Sequence, residues 1–404
     1  MIKFDFNTYI MPFIDSGKYQ KYCSQKNYYI NKLINSNMVG WTKQISKKTI
    51  EDIKETAKYI KNNFECLVVV GIGGSFLGSY AFHEMFKKYF NDESFEIIYA
   101  GTTLSSKYLD ELLIYLENKN FCLNVISKSG TTMETNIYYE ELKKMLKRKY
   151  SDVEIKKRIV ITTSKDEGKL REDALANQYK SFEIPNDIGG RFSFITPAHL
   201  LPLAMNYDIE KIIDGYYDGK KLIDKAFEYS IIRKLLFEKG KIIENFCVFE
   251  QNMQAFTEWL KQVFGETEGK KGVGIYPTSS VYTKDLHSLG QFIQEGNKIV
   301  FETFIKVEDT NNFIEYKNKN LHEINNIVLL STMNAHFKGL VPCIEISIKR
   351  QDLETISSLI YFFMLSAVFS GFLFDVNPFD QPGVEMYKKE SLDNLGVLWK
   401  RNIF

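Results

Sequence analysis

The chain has 404 residues, 44% of them hydrophobic and 25% charged, enough for two or three domains with sizeable cores. Lys and Arg number 52 against 51 Asp and Glu, so no overall field favours nucleic acid or an anionic membrane, and any anion site must be local. Five scattered cysteines (Cys23, Cys66, Cys122, Cys247 and Cys343) form no C-x-x-C pair and read as buried, reduced thiols. The start, MIKFDFNTYI, carries neither an apolar signal region nor an Arg-rich transit pattern. No uninterrupted apolar run reaches spanning length, so no membrane span is expected and the cytoplasm is the expected location.

Residues 1–45 read as an N-terminal segment. From Lys47 to Asn62 the pattern suits an exposed helix. CLVVVG (66–71) then reads as a buried strand and FLGSYAFHEMFKKYF as a helix. EIIYAG is a second strand, followed by a helix over 106–119. FCLNVIS is a third, followed by a helix over 132–148, and RIVITT a fourth. Val/Ile-rich strands alternating with helices imply a parallel sheet covered on both faces. After a helical, charged stretch over 208–241 the alternation resumes: NFCVFEQ, KIVFETFIKV and PCIEISI as strands, MQAFTEWLKQVF as a helix. The stretch 353–372 is apolar on most faces and reads as a buried helix. The expected architecture is two α/β sandwiches, over 46–210 and 211–380, followed by a C-terminal helical segment over 381–404.

Two loops carry anion chemistry. VVVGIGGSFLG and NVISKSGTTMET each place a Gly/Ser/Thr loop between a strand and a helix. Helix N-termini offer unpaired N–H groups and a partial positive charge, and glycine lets the backbone approach a ligand. Hydroxyls add donors, and Lys128 adds a full charge. The dinucleotide fingerprint fails, because Phe76 stands where its third glycine should be and no acidic residue ends the following strand. The P-loop pattern fails at Ser79, where Lys is required. The choice is between plain βα turns with capping hydroxyls and a phosphate cradle, and two such loops, one with a lysine, favour the cradle.

Candidates for proton chemistry lie further on. GETEGKKG ends a helix in a polar loop, where Glu266 or Glu268 is either a general base or part of a solvated charged turn. Arg191 in IGGRFSF, always charged, suits a developing oxyanion or a salt bridge. His287 in DLHSLGQF sits among small and polar residues. Neither it nor His83, His199, His322 or His336 belongs to an H-E-x-x-H pattern, so no metal is expected. Gln381 and Lys388 lie in and after NPFDQPGVE, where a lysine is by default a solvated helix residue.

Taken together, GIGGSFLG, SKSGTTMET, GGRFSF, GETEGK, DLHSLGQ and NPFDQPGVE, in this order across residues 71–388, resemble the glucose-6-phosphate isomerase family, above all its shorter bacterial branch. The resemblance implies two sugar-isomerase-type α/β/α sandwiches with mainly parallel sheets. It implies a cofactor-free, metal-free aldose–ketose isomerase that opens the sugar ring and passes through a cis-enediol(ate), in glycolysis and gluconeogenesis. It makes Glu266 the base between C2 and C1, and Arg191 with the Gly190 backbone the enediolate stabiliser. His287 becomes the ring-opening group with Lys388 as its partner. Gly74, Ser75, Ser127, Lys128, Ser129 and Thr132 become the phosphate cradle, Gln262 and Gln381 substrate contacts, and Glu134 a support. A homodimer is implied, with His287 supplied across its interface. The chain is short for the family, His199 stands where small residues are usual and reads as structural or supporting, and SKSGTT replaces the animal SKTFTT. A phosphosugar-binding regulator on the same fold would keep the loops without the chemistry. An isomerase of an amino-sugar phosphate or mannose 6-phosphate would differ outside SKSGTT, and HSLGQ and DQPGVE favour the glucose/fructose enzyme.

Overall fold

The computed structural model describes residues 2–401, with side-chain surroundings up to residue 396. Its strands, in chain order, are β1 (Ile2–Asp5), β2 (Cys66–Val70), β3 (Glu96–Ala100), β4 (Phe121–Ile126), β5 (Ile159–Thr163), β6 (Lys180–Glu183), β7 (Ile243–Val248), β8 (Tyr276–Val281), β9 (Val300–Val307), β10 (Glu315–Tyr316), β11 (Lys319–Asn320) and β12 (Cys343–Ile348). The first sheet has the order β3-β2-β4-β5-β6 and is parallel throughout. The second has the order β1-β12-β9-β7-β8 and is parallel except at β1, which runs antiparallel to β12. A short β10–β11 hairpin stands apart. The central strands are buried along almost their whole length and mainly apolar, as CLVVV and FCLNVI illustrate, because both of their faces are covered by helices.

The two sandwiches and mainly parallel sheets expected from the sequence are present, and the helices read from it begin and end within a few residues of their expected bounds, whereas the helices Ser16–Ser24, Lys26–Ile34 and Leu321–Lys338 were not read. Three strands of the two main sheets were not legible, nor was the β10–β11 hairpin. β1, β6 and β8 are all sheet edges, and IKFD, KSFE and YPTSSV carry too many polar residues to read as buried runs. The N-terminal segment therefore does not stand alone: β1 closes the second sheet, with Ile2 opposite Ile348. The helix Lys47–Asn63, expected to be exposed, is amphipathic and buries Ile53, Ala57 and Ile60, spaced as one helical face requires. Ser46 caps it by accepting from the Thr49 N–H.

The helix Leu353–Leu373 is the centre of the molecule. It is long and apolar enough to cross a bilayer, yet every residue from Ile356 onward is buried inside the protein. Asp352 caps its start by accepting from the Thr355 N–H at 2.7 Å. The helices Ile209–Asp218 and Ile223–Glu238 pack along it. The first of these crossings depends on Gly215: a Cβ there would lie 2.4 Å from both Cα and the carbonyl oxygen of Glu354. Gly215→Ala must push two packed helices apart, and it is expected to destabilise the fold by about 1–3 kcal/mol with the urea m-value unchanged. Equilibrium urea unfolding of the variant checks this.

Candidate active site

In the first sheet the chain runs from β2 outward to β3 and then returns to the other side of β2 to form β4. The strand order reverses between β2 and β4, the point at the carboxyl edge of an open α/β sheet where ligand crevices form. The two Gly/Ser/Thr loops follow these two strands. They are in contact at their roots, since a Cβ on Gly71 would lie 3.3 Å from the Ile126 carbonyl oxygen. Topology alone thus aims both loops into one crevice.

The second sheet supplies the facing wall. The helix Gln254–Glu268 follows β7 and packs on Leu77–Phe86, the helix that follows the GIGGS loop. Glu266 is part of this helix and not of a loop. Thr267 and Glu268 continue its last turn, and both are buried. Gln262 lies one turn earlier and donates to Glu266 Oε1 at 3.0 Å. Its amide reaches toward Gly73, where an added Cβ would lie 3.1 Å from Nε2.

Arg191 joins the two halves. Its side chain is 2% exposed, whereas that of Glu266 is 26% exposed. Nε donates to Thr267 Oγ1 at 2.9 Å, and one terminal nitrogen donates to the carbonyls of Pro378 and Asp380. The other terminal nitrogen turns to Glu266 Oε2 at 3.2 Å and Gln381 Oε1 at 3.3 Å. Burial lowers the proton affinity of this guanidinium, and Glu266 acts in the opposite direction. Nearby, Lys270 pairs with Asp380 at 2.9 Å and ties the end of GETEGK to NPFDQPG.

The GIGGS and GGRF loops touch backbone to backbone. A Cβ on Gly74 would fall 2.3 Å from the Gly190 carbonyl carbon, so only glycine fits there. Two groups hold the Gly74 carbonyl: Ser193 Oγ at 2.9 Å and His199 Nε2 at 2.8 Å. His199 Nδ1 accepts the Ser79 backbone N–H at 3.0 Å, which fixes the Nε2–H tautomer. Complete burial drops this imidazole to about 4, so it is neutral. His199 therefore braces the loop from beneath.

In the second loop Ser127 Oγ accepts the Gly130 N–H at 3.1 Å and lies 3.3 Å from Thr132 Oγ1. Gly130 has φ of +66°, the left-handed region that glycine enters without strain. Thr132 precedes the helix Met133–Lys149 without capping it through its side chain, and Glu134 sits in the first turn. The N–H groups of that turn remain available to an anion. Ser129 is exposed, and Ser75 is partly exposed at the end of the short turn Gly73–Ser75. Lys128 does not extend freely into the loop. Its ammonium donates to the carbonyls of Asn186 at 3.0 Å and Ile188 at 2.9 Å, linking SKSGTT to the segment that leads into Gly190 and Arg191. Burial lowers its proton affinity, opposed by Asp187.

His287 and Lys388 are not brought into this cluster. His287 is exposed in the turn after β8. Lys388 lies on the exposed helix Pro382–Arg401 and pairs with Glu385 at 2.9 Å. The remaining histidines have other partners: His83 the Tyr207 hydroxyl, His322 Glu250, and His336 Glu302. Among the described residues no group of three His, Cys, Asp or Glu is arranged to hold a metal ion. Thr267, Ser193 and the carbonyls around Arg191 were not singled out from the sequence, because ordinary residues gain these roles only through long-range packing.

A family model described as phosphoglucose isomerase matches residues 36–335. The glucose-6-phosphate isomerase of Staphylococcus saprophyticus is 42% identical over 387 residues, covering 89% of this chain and 87% of its own. That of Mycoplasmopsis pulmonis is 41% identical over 407 residues, covering 93% and 95%.

The chain belongs to the phosphoglucose isomerase family.

Its fold is similar to that of a Chlamydia trachomatis glucose-6-phosphate isomerase, with a TM-score of 0.77 at 21% identity, over 87% of this chain and 74% of that one. The enzyme interconverts glucose 6-phosphate and fructose 6-phosphate, a step of glycolysis and gluconeogenesis, as family membership establishes.

The buried, neutral His199 gives this architecture a pH signature. Its folded value of about 4 lies below the ordinary 6.5, so the unfolded chain binds the extra proton first as pH falls. Its contribution is complete above pH 6.5 and shrinks as pH drops toward 4, by about 2 kcal/mol at pH 5. Urea unfolding at pH 7 and pH 5 is expected to show this loss in the wild type and a smaller one in His199→Gln.

Proposed function

We propose that Glu266 is the base that carries a proton between C2 and C1, and that Arg191 stabilises the enediolate formed between the two transfers. The observation that carries this reading is the contrast within the pair. The arginine is desolvated and pinned by a hydroxyl and two carbonyls, while the carboxylate beside it remains partly open to the crevice. A guanidinium held on its far side can meet charge developing on the substrate oxygens with little reorganisation, which is where a donor lowers a barrier most. One carboxylate can take the proton from one carbon and return it to the next when water is excluded. The Gly190 backbone lies beside Arg191 and serves the same oxyanion.

Gly74, Ser75, Ser127, Ser129 and Thr132 form the proposed phosphate cradle, with the N–H groups of the two turns. Lys128 adds its charge from behind the loop while holding the strand-end segment 186–188 in place. Gln262 and Gln381 flank Glu266 and Arg191 and serve as contacts to the sugar hydroxyls. Glu134, at the first turn of its helix, supports the cradle. His287 assists ring opening, with Lys388 as its partner.

For those two residues to reach the crevice, a second subunit must bring His287, and we propose a cytoplasmic homodimer. Supporting this, Leu289 and Phe292 beside His287 are exposed, as are Phe313, Ile314 and Tyr316 around the β10–β11 hairpin. The helix bearing Lys388 has no buried residue among those described, and its Met386 and Tyr387 are open. Such apolar exposure marks an interaction surface.

Glu266→Gln is expected to lower kcat for fructose 6-phosphate roughly 100- to 10,000-fold, while binding of the phosphosugar by calorimetry stays near wild type. Wild-type turnover removes Glu266 from the base role. A mixing experiment tests the shared site. Glu266→Gln and His287→Ala subunits, each inactive alone, are unfolded together and refolded. A trans His287 gives each mixed dimer one intact site, so about a quarter of wild-type activity returns. No recovery places His287 in its own subunit's site.

A further inference from the structure

The last turn of the helix Gln254–Glu268 reads Gly265-Glu266-Thr267-Glu268, and no basic residue lies in it. This is a poor way to end a helix. Glycine weakens a helix interior, and two carboxylates sit at the negative end of the helix dipole. Left to local preferences, the turn that carries Glu266 would fray. Consecutive residues are nevertheless held from outside: Glu266 and Thr267 by Arg191, as described, and Glu268 by a second arginine that the reaction does not use.

That arginine is Arg233, on Ile223–Glu238. It and both its acidic partners, Glu244 and Glu268, have no solvent exposure. Its Nε donates to Glu244 Oε2 at 2.7 Å, and one terminal nitrogen donates to Glu268 Oε1 and to Ser370 Oγ, the latter at 2.6 Å. The guanidinium carbon lies over the ring of Phe264, one turn before Glu268, 4.1 Å from its centroid. Glu244 is further held by the hydroxyls of Tyr229 and of Thr303, the second at 2.7 Å. Glu268 Oε2 accepts the Ile275 N–H at 3.4 Å, just before β8. Burial pushes Glu268 toward protonation, with Arg233 opposing it. Two carboxylates facing one arginine in the core are a costly arrangement for stability alone, since buried ion pairs are commonly replaced by apolar side chains without loss.

We propose that Arg233 and Glu268 are positioning residues for catalysis: their buried ion pair holds the final helical turn in register, so that Glu266 faces the substrate carbons and Thr267 faces Arg191. The inference rests on the reading of Glu266 as the base. The pair is anchored to the Leu353–Leu373 helix through Ser370 and to β7 through Glu244, both almost wholly buried elements. The carboxylate that must move a proton therefore stands on a turn fixed to the core, although it is partly exposed itself.

The test compares Glu268→Ala and Glu268→Gln with the wild type, at a temperature well below each variant's Tm. Glu268→Gln removes the unbalanced charge but keeps an oxygen for Arg233 and the Ile275 N–H, so it should fold. The expected order of kcat is wild type, then Gln reduced about 3-fold, then Ala reduced about 10-fold or more, with KM for fructose 6-phosphate within about 2-fold throughout. A purely structural pair would lower Tm and leave kcat intact. Wild-type kcat in both folded variants overturns the inference, and if Ala does not fold, wild-type kcat in Gln alone does so. Glu266→Gln, assayed alongside, separates the two readings. If it turns over normally, the base assignment falls and this inference with it. If it is inactive while the Glu268 variants are normal, only the positioning role falls.

Discussion

The Arg191 guanidinium is almost wholly withdrawn from water, and this constraint governs the geometry of the site. Desolvating a permanent cation is tolerable only when partners surround it. Here the partners come from the end of a helix in the second sheet's half, through Glu266 and Thr267, and from the segment 378–381 that follows the central helix. Arg191 itself comes from the first half, on a loop whose neighbour Gly190 rests against Gly74. A displacement of any of these segments would leave buried polar atoms without partners. The loops of the two halves are thus held at one relative position by the cost of breaking the arginine's hydrogen bonds.

A second layer supports the first. His199 and Ser193 fix the Gly74 carbonyl, Lys128 fixes the carbonyls before Gly189, Lys270 fixes the segment at Asp380, and Arg233 fixes Glu268. In each case a polar side chain of one segment takes the backbone or carboxylate of another. Glu266 pairs with Arg191 yet stays 26% exposed, Ser129 is exposed and Ser75 partly so, and these groups remain available to a ligand. Preorganisation of this kind is what electrostatic stabilisation of a transition state requires.

Much of this was legible in the sequence, for identifiable reasons. Runs rich in Val, Ile, Leu and Phe stand out in a sequence, so β2, β3, β4, β5, β7, β9 and β12 could be read, and the Gly/Ser/Thr loops follow β2 and β4. Edge strands carry polar residues, so β1, β6 and β8 were missed. Glu266 and Glu268 read as a polar loop because GETEGK has no helical preference of its own, and two distant arginines impose the helix. Glu268 could be taken for a solvated charge because nothing in its neighbourhood announces Arg233, which lies 35 positions earlier. Lys128 read as a direct anion ligand, since a sequence does not show which carbonyls will fold against an ammonium. His287 and Lys388 are both exposed and lie outside the Arg191–Glu266 cluster, which their motifs do not announce.

The pairing of β1 with β12 has a consequence for how the polypeptide is made. Strands β2 to β6 follow one another in the first half of the chain, and their pairing needs no later strand. The second sheet is threaded differently: its edge strand, Ile2–Asp5, precedes the whole first sheet in the chain yet pairs opposite the strand that contains Ile348. During translation the first sheet can close as soon as Glu183 has emerged, while Ile2–Asp5 must wait for almost the entire chain. Such long-range pairing is slow to form, and domains complete themselves in the order in which they leave the ribosome. The second half is thereby the last to become native, and the nascent chain holds the partly apolar Ile2–Asp5 unpaired until Cys343–Ile348 arrives.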